Sequence, residues 1–108
     1  MTHRILTFAP LLAFAVALAA PALAEELDGA TLYTQRTCVA CHGADAKSPI
    51  LPEYPKLAGQ NAAYALQQMK DIKSGARNNA NTPAMSGIMH LVTEAEMEAL
   101  ANWIATLD

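Results

Sequence analysis

The chain is short of cysteine: there are two in 108 residues, Cys38 and Cys41, three positions apart. A disulfide between them would close too small a loop to remove much unfolded-state entropy, so a disulfide framework is excluded. Basic residues are also scarce. Of seven Lys and Arg only Arg4 lies in the first 24 residues, while all ten carboxylates come later, so six cations face ten anions there, a net of −4. No basic cluster forms among them, and nucleic acid is not an expected partner. After residue 24 there is no internal repeat, no apolar run long enough for a membrane span and no alternation that reads as a strand.

The first 24 residues have a different composition. Met1-Thr2-His3-Arg4 is a short basic start, Ile5 to Ala20 is almost wholly apolar, and small residues at Ala22 and Ala24 precede Glu25-Glu26. That is the pattern of a secretory signal peptide. The run is interrupted by Thr7 and Pro10 and falls short of the roughly 20 residues an anchor helix wants. Cleavage is expected after Ala24, leaving residues 25–108, which is 84 of the 108. So small a domain buries a modest core and often needs a staple.

Three helices are expected in that domain. Leu27 to about Arg36 reads as a short one with Asp28 as N-cap and Ala30, Leu32 and Tyr33 as its apolar members. From about Asn61 to Ser74, Ala62, Ala65, Leu66, Met69 and Ile72 recur on one face before a stop at Gly75. Thr93-Glu94-Ala95-Glu96 is a capping box for a last helix with Met97, Leu100, Ala101, Ile104 and Leu107 as its stripe. Residues 43–59, with Pro49, Pro52 and Pro55, and residues 76–92, with Pro83 and Gly87, read as two long loops. Both hold apolar side chains (Ile50, Leu51, Tyr54, Leu57; Met85, Ile88, Met89, Leu91) that need a surface to pack on. A large flat cofactor would supply one.

Cys38-Val39-Ala40-Cys41-His42 names that cofactor, for C-x-x-C-H is the attachment string of c-type haem. Two thiols on one helical turn can add to the two vinyl groups of a porphyrin edge, and the next residue can present its imidazole to the iron. A thiol–disulfide centre would instead prefer a preceding strand, which is not evident. Zinc would have only Cys38, Cys41, His42 and His90, poorly arranged.

With His42 below the iron, the opposite face could be taken by Met69, Met85, Met89, Met97 or His90. Met69 and Met97 sit on helix stripes and read as core. His90, beside a helix start, reads as a surface residue. Spacing puts Met85, in the loop after Pro83, only modestly ahead of Met89. Thioether ligation would raise the reduction potential and close the iron to small ligands.

The stretches "LYTQRTCVACHGADAKSPI", "YPKLAGQNAAYALQQMKDIKSGAR", "AMSGIMHL" and "TEAEMEALANWIATL" resemble a class I cytochrome c, and most of all one half of the periplasmic two-haem cytochromes of the c-four type. The resemblance covers about Leu27 to Leu107 and implies an all-α fold wrapped around one haem. It implies covalent attachment at Cys38 and Cys41, His42 and Met85 as axial ligands, and a hydrogen bond from His42 Nδ1–H to the Pro55 carbonyl. It also implies a crossing of Gly29 and Tyr33 on the last helix near Leu100 and Trp103. Tyr64, Gln68 and Arg77 match family positions as well, and a haem propionate would suit the Arg77 guanidinium best. A c-four protein has two such domains, where one is evident here.

The expected function follows: a soluble periplasmic single-haem carrier, not an enzyme, taking one electron at a time from a redox protein donor to a terminal oxidase or reductase. The rival is a haem subunit of a periplasmic oxidoreductase complex, which the same site would serve. A gas-binding sensor would want a five-coordinate iron, against which Met85 argues.

Overall fold

The computed structural model describes residues 1–3, 5–17 and 26–108. Five helices follow one another: α1 (Gly29–Gln35), α2 (Cys38–His42), α3 (Ala62–Ser74), α4 (Thr82–Met89) and α5 (Glu94–Ala105), with no strand among the described residues. The all-α expectation holds, and α1, α3 and α5 are the three helices expected.

Their ends are set by local chemistry. The Asp28 carboxylate accepts the Thr31 N–H at 3.2 Å, and the Asn61 side chain accepts that of Tyr64 at 3.0 Å. Gly75, at φ +85°, closes α3 in the left-handed region where a glycine carries no Cβ penalty. At α5 the capping box is dominated by one half. The Thr93 hydroxyl accepts the Glu96 N–H, but the Glu96 carboxylate turns to Arg36, whose Nε and Nη2 donate to it at 2.7 and 2.8 Å.

Residues 76–92 are not all loop, because Thr82–Met89 is helical. Pro83 lies in the first turn, where its missing N–H would have had no intrahelical acceptor, so it starts the helix and does not break it. Gly87 faces solvent with nothing near its Cα for a side chain to meet. Met85 therefore stands on a helix and not in a loop.

α5 packs on both α1 and α3, α4 packs on α3, and α2 packs on α1. The core is built from Leu32, Tyr33, Met69, Ile72, Val92, Met97, Leu100 and Ile104, with Met89 fully buried beside them. Of the residues expected inside α1, Ala30 is exposed and Gly29 is buried in its place. Tyr33 and Trp103 pack in a tilted pair across the α1–α5 crossing, with ring centroids 5.0 Å apart and planes at 47°. Residues 5–17 form no helix or strand and expose Ile5, Leu6, Phe8, Leu11, Leu12, Phe14 and Val16. The expected cleavage point after Ala24 lies outside the described residues. Among the described residues no helix is long and apolar enough to cross a membrane.

Candidate functional site

α2 is a single turn that places Cys38 and Cys41 three residues apart and His42 at its end. The chain leaves it through Gly43 at φ +88°, where a Cβ would lie 2.3 Å from the Ser48 carbonyl oxygen, so only glycine fits. The loop beyond is braced by its own polar groups. The Asp45 carboxylate accepts from the Lys47 and Ser48 N–H groups and from the Ser48 hydroxyl. The Ala46 carbonyl accepts from Leu57 N–H at 2.7 Å and Ala58 N–H at 3.0 Å.

That bracing brings Pro55 over α2. His42 Nδ1 and the Pro55 carbonyl oxygen are 2.9 Å apart. A carbonyl can only accept, so the proton sits on Nδ1 and the Nε2 lone pair is left free for a metal. His42 is 6% exposed and lines a cavity of about 410 Å³.

The cavity separates α2 from α4, which make no contact with each other. Cys38, Cys41 and His42 line it from one helix and Met85, Ile88 and Met89 from the other. Further apolar wall comes from Leu57, Met69, Ile72, Leu100 and Ile104. Its size falls in the range of cofactor sites, and its lining is apolar with a few convergent polar groups. Two unpaired thiols, a histidine with a free ring nitrogen and a thioether on a helix across the gap make a donor set that fits haem c.

The alternatives fit less well. Burial pushes the Cys38 thiol above its ordinary pKa, which favours the neutral thiol over the thiolate that exchange chemistry needs. Among the described residues no three His, Cys, Asp or Glu side chains converge as a metal cluster.

The other expected residues divide clearly. Tyr64, Gln68 and Arg77 all line the cavity, and Arg77 Nη1 donates to Gln68 Oε1 at 2.9 Å. Both Met85 and Met89 line it, but Met89 is 0% exposed and locked in the core, while Met85 is half-buried. His90 is exposed at the end of α4 and does not line the cavity, and Met97 is core, as expected. Ile50, Leu51 and Leu91, expected to pack inward, are instead exposed. Thr82 was missed: it is 7% exposed and lines the cavity at the start of α4. Its only sequence signal was a threonine in front of Pro83, which reads as a turn until α4 is known.

The family model described as Cytochrome c matches residues 27–108. The chain is 39% identical over 92 residues to a "Thiosulfate dehydrogenase electron acceptor" of Stutzerimonas stutzeri, covering 79% of this chain and 40% of that protein. It is 42% identical over 69 residues to "Cytochrome c4" of Pseudomonas aeruginosa, covering 64% and 32%. The crystal structure of reduced recombinant cytochrome c4 from Pseudomonas stutzeri superposes with a TM-score of 0.65 at 31% identity, covering 74% of this chain and 46% of that one. The chain thus spans less than half the length of each of these relatives.

Proposed function

The chain belongs to the cytochrome c family, and from that premise we propose that it is a periplasmic one-electron carrier with a single haem, whose iron His42 and Met85 would hold. Bound haem supplies the Fe(III)/Fe(II) couple. The protein's part is to hold and shield it. Cys38 and Cys41 carry the covalent links, and the Pro55 carbonyl keeps His42 in the tautomer whose Nε2 can coordinate. Leu57, Ile72, Leu100 and Ile104 line the cavity and would exclude water from the ring, while Arg77, bonded to Gln68 and on the same cavity wall as Tyr64, would suit the propionate charge. Because neither ligand needs to leave on reduction, little has to rearrange during transfer.

The observation that carries the reading is the 2.9 Å bond from His42 to Pro55 beside a cavity that α4 lines with Met85. Residues 5–17, apolar and unpacked, support their role as part of a removed export signal. The test is to express the chain in a host that attaches haem c in its periplasm. The mature protein should be red, should begin at Glu25 by mass, should keep its haem after denaturation and should fail to bind carbon monoxide when reduced. A colourless product, or haem lost on denaturation, overturns the reading.

A second reading, a haem subunit that accepts electrons within an oxidoreductase complex, is favoured by the relative named as an electron acceptor of thiosulfate dehydrogenase. Gentle native purification separates the two: a free monomer supports the carrier, and a stable complex supports the subunit.

A further inference from the structure

The Tyr33 hydroxyl has no place in the reading above, yet it makes one of the shortest hydrogen bonds in the chain. It donates to the Gly43 carbonyl at 2.6 Å. Gly43 follows His42 directly, at a position where any side chain would run into the Ser48 carbonyl. The same carbonyl also accepts the Ala46 N–H at 3.2 Å. The Ala46 carbonyl in turn accepts from Leu57 and Ala58, just beyond Pro55, and the Pro55 carbonyl accepts from the His42 ring.

These bonds close a ring that begins and ends at His42: His42 to Gly43 through the chain, Gly43 to Ala46, Ala46 to Leu57, Leu57 back to Pro55, and Pro55 to the imidazole. Tyr33 enters that ring from outside, and its own ring is fixed by Trp103 at the α1–α5 crossing. We infer that Tyr33 is a positioning residue for the proximal histidine: its hydroxyl, acting through the Gly43 carbonyl, ties the orientation of the His42 imidazole to the packing of α1 on α5. Networks of this kind set the plane of a ligating ring and the basicity of its nitrogen.

The inference rests on the reading of His42 as the iron ligand, and its test is separate from the test of that reading. Tyr33→Phe keeps the aromatic ring against Trp103 and removes only the hydroxyl. In the reduced haem protein, solvent exchange of the His42 Nδ1–H proton, followed by NMR, should quicken by a factor of roughly 2–10 in Tyr33→Phe, the range one hydrogen bond supports. Thr93→Ala removes the α5 cap and weakens the fold without touching the ring of bonds. After correction for global stability it should leave that exchange unchanged. An unchanged rate in Tyr33→Phe, or an equal change in Thr93→Ala, overturns the inference.

Should Tyr33→Phe fail to accumulate, the wild-type protein decides: matched protection of the Tyr33 hydroxyl proton and the His42 ring proton supports the coupling, and an unprotected hydroxyl beside a protected imidazole overturns it. A wild-type protein without a haem spectrum would sink the ligand reading itself, a different result.

Discussion

Gly29 and Trp103 meet so closely that a Cβ on Gly29 would lie 2.3 Å from the Trp103 Cβ and 2.6 Å from the Ala99 carbonyl oxygen. The α1–α5 crossing depends on that missing methyl. α1 carries Leu32 and Tyr33 into the core and leads into the Cys38–His42 turn, so the crossing also places the site.

Gly29→Ala should therefore destabilise the protein, against the usual direction in a helix. Alanine gains at most about 1 kcal/mol of helix propensity, and overpacking against a neighbouring backbone costs about 1–3 kcal/mol or more. Urea denaturation should show a lower midpoint with an unchanged slope. A variant as stable as the parent would mean that the crossing can open without cost.

Met85 and Met89 should separate by spectrum and by stability. Met85→Ala should lose the weak far-red sulfur-to-ferric-iron band and let the reduced protein bind carbon monoxide, at a small cost in stability. Met89→Ala should keep the band and lose about 2–5 kcal/mol, the cost of emptying a fully buried site. The opposite pattern would transfer the ligand to Met89.

The Arg36–Glu96 pair predicts a pH dependence. The Arg36 guanidinium beside Glu96 holds its carboxyl below the ordinary value. A carboxyl with a depressed folded pKa contributes stability that is present above its unfolded value, about 4.3, and is lost as pH falls toward the lower folded one. Glu96→Gln should thus melt below wild type at pH 7, and the gap should narrow as the pH drops below about 4. A gap independent of pH would show that the ion pair is not its source.

Arg77→Leu should lower the reduction potential, since removing a cation near the cavity favours the more positive ferric state. Because Arg77 is exposed, the shift should shrink as salt rises. Redox titration at two ionic strengths checks both. An unchanged potential would put Arg77 outside the field of the haem.

How much of this was legible depends on how far apart the interacting residues stand in the chain. The Asp28, Asn61 and Thr93 caps each bond three residues ahead, and the C-x-x-C-H turn lies within five residues, so each could be read in place. α4 was hidden because Pro83 ends a helix in one position and begins it in another, and only the neighbouring fold tells which. Ile50, Leu51 and Leu91 were expected to pack on a flat cofactor, yet the loops leave them exposed and outside the cavity lining.

The haem-attachment turn, the helical class and the caps of α1 and α5 were therefore written in the sequence, since neighbours within one turn interact whatever the rest of the chain does. The tertiary structure alone decided the rest. It buried Met89 and left Met85 open to the cavity, although both lie on one face of α4. It brought Glu96 to Arg36 across 60 positions and Tyr33 to Gly43 across ten. Those pairings follow from how α1, α3 and α5 pack on one another, and packing between distant segments leaves no periodic trace in the chain.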